Sequence, residues 1–333
     1  MRSFAIRIYA VKLHARKIIL CLLLLCSCFV SSAQLIDNSS TLKNIATTNY
    51  LRFNYENDFF TGTDYYYSQG ITVEYVHPGL RRNPFNKLLL FQKNDKSKYG
   101  ISFNIFGYTP TSIESDQVLY GDRPFQANMA IKSFVLNVDS IKKQRVASSI
   151  SIGIIGPAAL GKEIQTFIHK RIGDPIPKGW QHQIRNDLIL NYQFNYEKAI
   201  LKAGNNLLVN GIVEAKAGTL YNKFSSGFNF MAGSFTDPYS FTPVKKKNNI
   251  YLYGQGQLTL VGYDATIQGG IFNRKSVYII PAKEIERVVF RADIGIMLNI
   301  KKVYLCYSQS YLSKEFKKGL NHSWGGLSLA LSF

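Results

Sequence analysis

Leu327-Ser328-Leu329-Ala330-Leu331-Ser332-Phe333 closes the chain. Large apolar residues alternate there with small ones, the period of two that belongs to a β-strand with unlike faces. Chain ends are usually frayed and polar, so an aromatic last residue needs a reason. Either the strand is a buried edge of a soluble sheet, or one of its faces meets lipid. Other runs carry the same period. Leu51, Phe53 and Tyr55 alternate with Arg52, Asn54 and Glu56. Leu188, Leu190, Tyr192, Phe194 and Tyr196 alternate with Asn191, Gln193 and Asn195. Phe290, Ala292, Ile294, Ile296 and Leu298 alternate with Arg291, Asp293, Gly295 and Asn299. A soluble sandwich alternates too, so a second observation has to decide.

That observation is the N-terminus. Arg2, Arg7, Lys12, Arg16 and Lys17 precede an apolar run from Ile18 to Val30, followed by Ser31-Ser32-Ala33. This is the pattern of a secretory signal cleaved after Ala33, and the run is short for a membrane-spanning helix. A lipoprotein reading at Cys28, within Leu25-Cys26-Ser27-Cys28, is disfavoured by Cys26. No later stretch offers 18 uninterrupted apolar residues. Export, alternation and an aromatic end together predict an all-β transmembrane antiparallel β-barrel of about 12 strands in the Gram-negative outer membrane. Its last strand has the form read by the barrel assembly machinery. The expected organisation is residues 1–33 as signal peptide, 34–47 as periplasmic leader and 48–333 as barrel. An aromatic content of 14%, with 21 Tyr, suits girdles at the membrane surface.

Charge and cysteine usage narrow the partners. Without the five basic residues of the expected signal peptide, 35 of the chain's 40 Lys and Arg face 21 Asp and Glu, a net charge of +14. In an exported chain such an excess favours lipid phosphates or lipopolysaccharide rather than nucleic acid, although many of these cations simply solvate loops. Cleavage removes Cys21, Cys26 and Cys28 and leaves Cys306 alone. An internal disulfide and cysteine-rich metal motifs are thereby excluded.

Thirteen segments read as strands, starting near residues 50, 66, 98, 127, 146, 187, 207, 223, 249, 263, 288, 302 and 323. Single-chain bacterial barrels use even numbers, so twelve are expected, with the weakly alternating segments near 127, 207 and 223 the most doubtful. Residues 242–248, with Lys245-Lys246-Lys247, read as a loop. With both chain ends in the periplasm, Asn57, Asp58 and Ser68 fall at the outer rim and 156–186 is a long external loop. Long connections of this kind are usually functional. Within it Leu160, Ile164, Phe167, Ile168 and Ile172 have helical spacing, and Gly173 stands as a C-terminal cap.

Gln165 and His169 are four apart and face the same way on that helix. A polar pair beside an apolar stripe suggests chemistry, while a single histidine is more often an ordinary surface residue. In the hairpin Glu56-Asn57-Asp58 to Tyr67-Ser68-Gln69-Gly70, Asp58 with Glu56 or Asp64 offers oxygen ligands for a hard cation such as Ca²⁺. A plain polar turn at Gly62 explains the same residues. There is no Gly-x-Ser-x-Gly elbow and no His-Glu-x-x-His. Gly254-Gln255-Gly256 continues as a strand, so it is no nucleotide loop. His77, His169, His182 and His322 are too scattered for a zinc cluster.

Glu56-Asn57-Asp58 with Tyr67-Ser68-Gln69-Gly70 resembles the Asn-Asp and Tyr-Thr-x-Gly signatures of the outer-membrane lipid A 3′-O-deacylase family. Gly121-Asp122-Arg123, Ile154-Ile155-Gly156-Pro157, Gln165-x-x-x-His169 with Ile172-Gly173, Trp180-Gln181-His182-Gln183-Ile184 and Gly218-Thr219-Leu220 agree in the same order. The likeness covers essentially the mature chain, with its specific motifs mainly in residues 50–200. It implies a twelve-stranded barrel and a Ca²⁺-dependent carboxylic ester hydrolase that removes the 3′-linked acyl or acyloxyacyl group of lipid A, acting as a monomer in the membrane. It also implies that His169 is the base activating water and that Gln165 supports it. Asp58 would bind the cation, with Asn57 and Ser68 completing the site. The cation would polarise the carbonyl and stabilise the oxyanion; an imidazole suits the base because it titrates near working pH. Two departures stand out. Ser68 replaces Thr, keeping the hydroxyl, and Pro175 occupies the position of a family Glu. Asp174, one residue earlier, would then supply the carboxylate, so the expected metal ligands are Asp58, Asp174 and Glu56. A non-enzymatic barrel, either a channel or a lipopolysaccharide-binding protein, is the alternative. A serine phospholipase fits less well, since no Ser-His-Asn order is evident.

Overall fold

The computed structural model describes residues 45, 47–63, 65–90, 97–204, 206–240 and 248–333. The expected signal peptide, the leader apart from residues 45 and 47, Asp64 and Lys245-Lys246-Lys247 lie outside the described residues. The strands are β1 (Tyr50–Asn57), β2 (Tyr66–Val76), β3 (Ser97–Thr109), β4 (Gln126–Asp139), β5 (Gln144–Ile155) and β6 (Asp187–Ala203). They continue as β7 (Leu207–Gly218), β8 (Tyr221–Ser234), β9 (Asn249–Asp264), β10 (Val288–Ile300), β11 (Val303–Leu312) and β12 (His322–Ser332). Each pairs antiparallel with its neighbours in sequence, and β1 pairs with β12 from Tyr50↔Ser332 to Asn57↔Gly325, closing the barrel. Closure satisfies every strand's backbone within the wall, which a bilayer demands. Two short helices interrupt the connections, α1 (Gly161–Ile172) and α2 (Ala265–Gln268).

The fold is the expected twelve-stranded barrel, but the surplus strand was elsewhere than expected. The segment near 263 is the end of β9, which runs for 16 residues. The segments near 127, 207 and 223 are genuine strands. β4 alternates poorly because loops cover part of its outer face. Ala127 lies under Ala159 and Trp180, and Val135 packs with Leu89 and Leu80.

The two faces are inverted relative to a soluble protein. Leu51, Phe53, Leu188, Leu190, Leu258, Leu260, Ile294, Ile296, Leu327 and Leu329 are exposed, whereas Arg52, Glu74, Arg145, Glu197, Lys223 and Arg291 are buried inside. Burying a charge is tolerable only with a partner. Arg52 pairs with Glu74 at 3.1 Å, Lys223 with Asp264 at 2.5 Å, Arg291 with Asp293 at 2.7 Å, and Arg145 with Glu197.

The connections 110–125, 156–186, 265–287 and 313–321, with the shorter 58–65 and 219–220, lie at the rim opposite Tyr50 and Ser332, where β1 begins and β12 ends. The other rim carries the tight turns 140–143, 204–206 and 301–302, with two longer connections, 77–96 and 235–248. Long loops on one side and short turns on the other identify the first rim as external. Three of its loops roof the lumen. Arg123 pairs with Glu315 and lies 4.0 Å over the Tyr108 ring. Ile285 bridges to Phe316, and Tyr278, whose phenol pKa burial raises, donates to the Asp122 carbonyl at 2.8 Å. Beneath the roof, the space bordered by Asn104, Asn128, Lys132, Asn191 and Lys216 measures about 70 Å³. That is room for a few waters.

Candidate functional site on the outer wall

Strand parity decides which face each candidate occupies. Along β1, Arg52, Asn54 and Glu56 are buried inside, and Leu51 and Phe53 face out. Asn57 therefore shares the outer face with Tyr55. Its amide Nδ2 donates to the Tyr55 hydroxyl at 3.2 Å and to the Ser68 carbonyl at 2.6 Å. Its Oδ1 accepts from the Phe59 amide at 2.8 Å, capping the short 3-10 turn Asp58–Thr61. Asn57 thus clamps the first hairpin.

Ser68 reaches the same face through a bulge. The β2–β3 register shifts between Tyr67 and Gln69, and such an extra residue re-aims a side chain. On β3, Asn104 and Phe106 border the lumen space, so Thr109 looks outward with Phe103. Ser68 Oγ and Thr109 Oγ1 share a hydrogen bond of 2.7 Å. Gln69, beside them, is buried.

The loop 156–186 folds back over this outer wall. Ala127 is an outward residue, since its neighbours Asn128 and Lys132 border the lumen space. A Cβ on Gly161 would lie 2.4 Å from Ala127 Cβ and 2.6 Å from Trp180 Cη2. Only glycine lets α1 approach so closely. From the helix, Gln165 is buried and its Oε1 accepts from Trp180 Nε1 at 2.7 Å. That bond fixes which end of the amide is which, leaving Nε2 as the donor end. One turn later His169 Nδ1 lies 2.7 Å from the Pro175 carbonyl oxygen. A carbonyl only accepts, so Nδ1 carries a proton, and in the neutral ring Nε2 is the nitrogen with the lone pair. Gly173, at φ 82°, and Asp174 turn the chain by donating their amides to the His169 carbonyl, which delivers Pro175 to the ring. His182 lies elsewhere, its Nε2 2.9 Å from the Asp116 carbonyl.

Asn57 and Ser68 are thus in contact, and Gln165 and His169 sit one turn apart. Both pairs belong to the outer face of the external rim, over neighbouring strands β1 to β4. The metal set does not come together. Glu56 points into the lumen, accepting from Tyr67 Oη at 2.8 Å, across the wall from Asn57 and Ser68. Asp58 is buried at the start of the rim turn, and Asp174 is exposed beyond α1. Among the described residues no three His, Cys, Asp or Glu side chains cluster as metal ligands. The donor set expected for Ca²⁺ therefore does not fit. Two contributors escaped the sequence reading. Trp180 was seen only as part of a motif, and Thr109 carried no signal at all.

Comparison with known proteins adds an independent line. The sequence model described as "Outer membrane protein LpxR" matches residues 18–333. The structure of LpxR from Salmonella typhimurium is 19% identical and superposes with a TM-score of 0.70 over 85% of this chain and 100% of that one. The translocator domain of the autotransporter NalP from Neisseria meningitidis is 9% identical, with a TM-score of 0.45 over 89% of this chain and 92% of that one. No curated protein sequence matches.

Proposed function

The chain belongs to the LpxR family of outer membrane proteins, and from that premise we propose that it hydrolyses the 3′-linked acyl or acyloxyacyl ester of lipid A. The observation carrying this reading is the His169 bond to the Pro175 carbonyl, which leaves Nε2 as a base on the barrel's outer wall. The position where the family has a carboxylate orients the imidazole here through its backbone. Loss of the family Glu at 175 therefore leaves the base aligned.

His169 Nε2 takes a proton from water as the oxygen attacks the ester carbonyl. The ester then becomes a tetrahedral oxyanion, which needs donors already aimed at it. Two groups supply them. Gln165 Nε2 is one, held by Trp180. The second is the Ser68–Thr109 hydroxyl pair, which spends one hydrogen on its mutual bond and keeps the other. Collapse breaks the bond to the sugar oxygen, and the proton on His169 passes to that oxygen. The products are a fatty acid and a free 3′-hydroxyl. Asn57 is a positioning residue, because Ser68, Tyr55 and Phe59 occupy its amide. The Ca²⁺ of the family resemblance enters no step, since its expected ligands lie apart.

A channel would need an open lumen, whereas this one is roofed and packed with paired charges. The site also opens to the side of the barrel where lipid lies. Mass spectrometry of lipid A from cells with and without the protein is the test. The expected result is loss of the mass of the 3′-linked chain, and an unchanged spectrum would refute the reading.

A further inference from the structure

Helix α1 carries three unlike stripes. Gly161 and Gln165 form the back that packs against the wall. Ile164, Phe167, Ile168 and Arg171 recur at i, i+3, i+4 and i+7 along one flank. Lys162, Thr166, His169 and Lys170 recur at i, i+4, i+7 and i+8 along the other. The apolar flank is open at its centre, where Phe167 is 61% exposed. Ile172, the last residue of the helix, is 64% exposed, and Ile176 beyond it is 39% exposed. Arg171 folds back over the Phe167 ring, its guanidinium carbon 5.3 Å from the centroid.

Exposed apolar side chains on a loop in water would be a liability, but this helix rests on the lipid-facing side of the wall. It also springs from β5 and β6, whose outward residues Ile152, Leu188 and Leu190 are themselves exposed. The apolar flank therefore continues a surface that lipid already covers. Lys162, Lys170, Arg171 and Lys178 outnumber Glu163 and Asp174 over 161–178, complementing phosphate. An apolar flank, a cationic flank and little net hydrophobicity define a helix that lies in a membrane interface. Long cationic side chains there reach up to headgroups from an apolar stem.

We propose that α1 is embedded in the interfacial layer of the outer leaflet. Its Ile164–Phe167–Ile168 flank rests on acyl chains, and its Lys162–Lys170 flank lies among the phosphates of the lipid. The inference stands on the outer-membrane fold and not on ester hydrolysis. It has a consequence for His169, which belongs to the phosphate-level flank, the depth at which an acyl chain joins its headgroup.

The test is spin labelling of the mature barrel in a Cys306→Ser background, reconstituted in phosphatidylcholine vesicles with or without phosphatidylglycerol. Nitroxides at Phe167→Cys and Lys170→Cys are compared with Leu329→Cys on the lipid-facing wall and Tyr120→Cys on another external loop. Collision with oxygen should exceed collision with a water-soluble nickel chelate at 167, as at 329, and the reverse should hold at 170, as at 120. Label 167 should also sit deeper when phosphatidylglycerol is present. If label 167 reads like label 120, or is shielded from both reagents by a second protein copy, the helix is not in lipid. Equal depth in the two vesicles would show that net anionic headgroup charge does not seat the helix, and would overturn the role given to the cationic flank.

Discussion

Replacing Trp180 by Phe tests the least obvious part of the site. The indole is 2% exposed and donates its only N–H to Gln165 Oε1 at 2.7 Å, while Gln165 itself is 6% exposed. Phe keeps an aromatic ring against Phe125 but removes the donor, so a carbonyl oxygen cut off from water loses its partner. Leaving such a group unsatisfied costs about 1–3 kcal/mol. If all of it falls on the transition state, because the amide is free to turn its oxygen toward the oxyanion, acyl release slows roughly 5- to 150-fold. Any share taken by the fold reduces that figure. The assay is the rate of acyl release from lipid A by mass spectrometry, at equal amounts of protein with unchanged heat-modifiable migration. A double-mutant cycle sharpens it. Once Gln165→Ala is present, adding Trp180→Phe should cost little more, because the two act through one bond. A wild-type rate for Trp180→Phe, or fully additive losses, would refute the proposed role.

Four further outcomes follow from the same geometry. His169→Ala should lower the rate by about 10²–10⁴-fold, while His182→Ala, bonded to the 110–125 loop, should keep most activity; equal loss in both would point to damage of the loop. Glu56→Gln should leave the rate of acyl release near that of wild type at equal amounts of folded protein, because the barrel wall stands between Glu56 and Ser68; a loss comparable to that of His169→Ala would return Glu56 to the site. Arg145→Met strands Glu197 in the lumen and should destabilise the barrel by about 3–5 kcal/mol, nearer the lower figure because Asn229 and Tyr239 also donate to that carboxylate. The urea midpoint of unfolding from detergent measures it, and an unchanged midpoint contradicts the pairing. N-terminal sequencing of protein from the outer-membrane fraction should begin at Gln34, and recovery from the soluble periplasm would contradict export to the membrane.

Period-two alternation was enough to lay out the barrel, and helical spacing found α1 within one residue of its start. The same alternation also held information that went unused. Glu56 and Asn57 are adjacent in a strand, so they cannot share a face, and only one of them belongs with an outer-wall site. What could not be read were features made by the fold alone. Ser68 reaches the outer face only through a bulge, and nothing in Tyr67-Ser68-Gln69 marks the extra residue. Trp180 reaches Gln165 across a loop, and Thr109 reaches Ser68 across a sheet, at separations where spacing has no meaning. The surplus strand near 263 is the far end of β9, whose 16 residues read as two strands from the sequence.

If the proposed reaction runs on the outside of the wall rather than within a lumen, concentration takes on a different meaning for this protein. Substrate arrives sideways, by diffusion in the plane of the leaflet, and need never leave it. The relevant variable is then the mole fraction of lipid A among its neighbours. Diluting the membrane with inert amphiphile would slow turnover even at constant bulk substrate, and packing changes in the leaflet would act on the reaction as directly as any side chain.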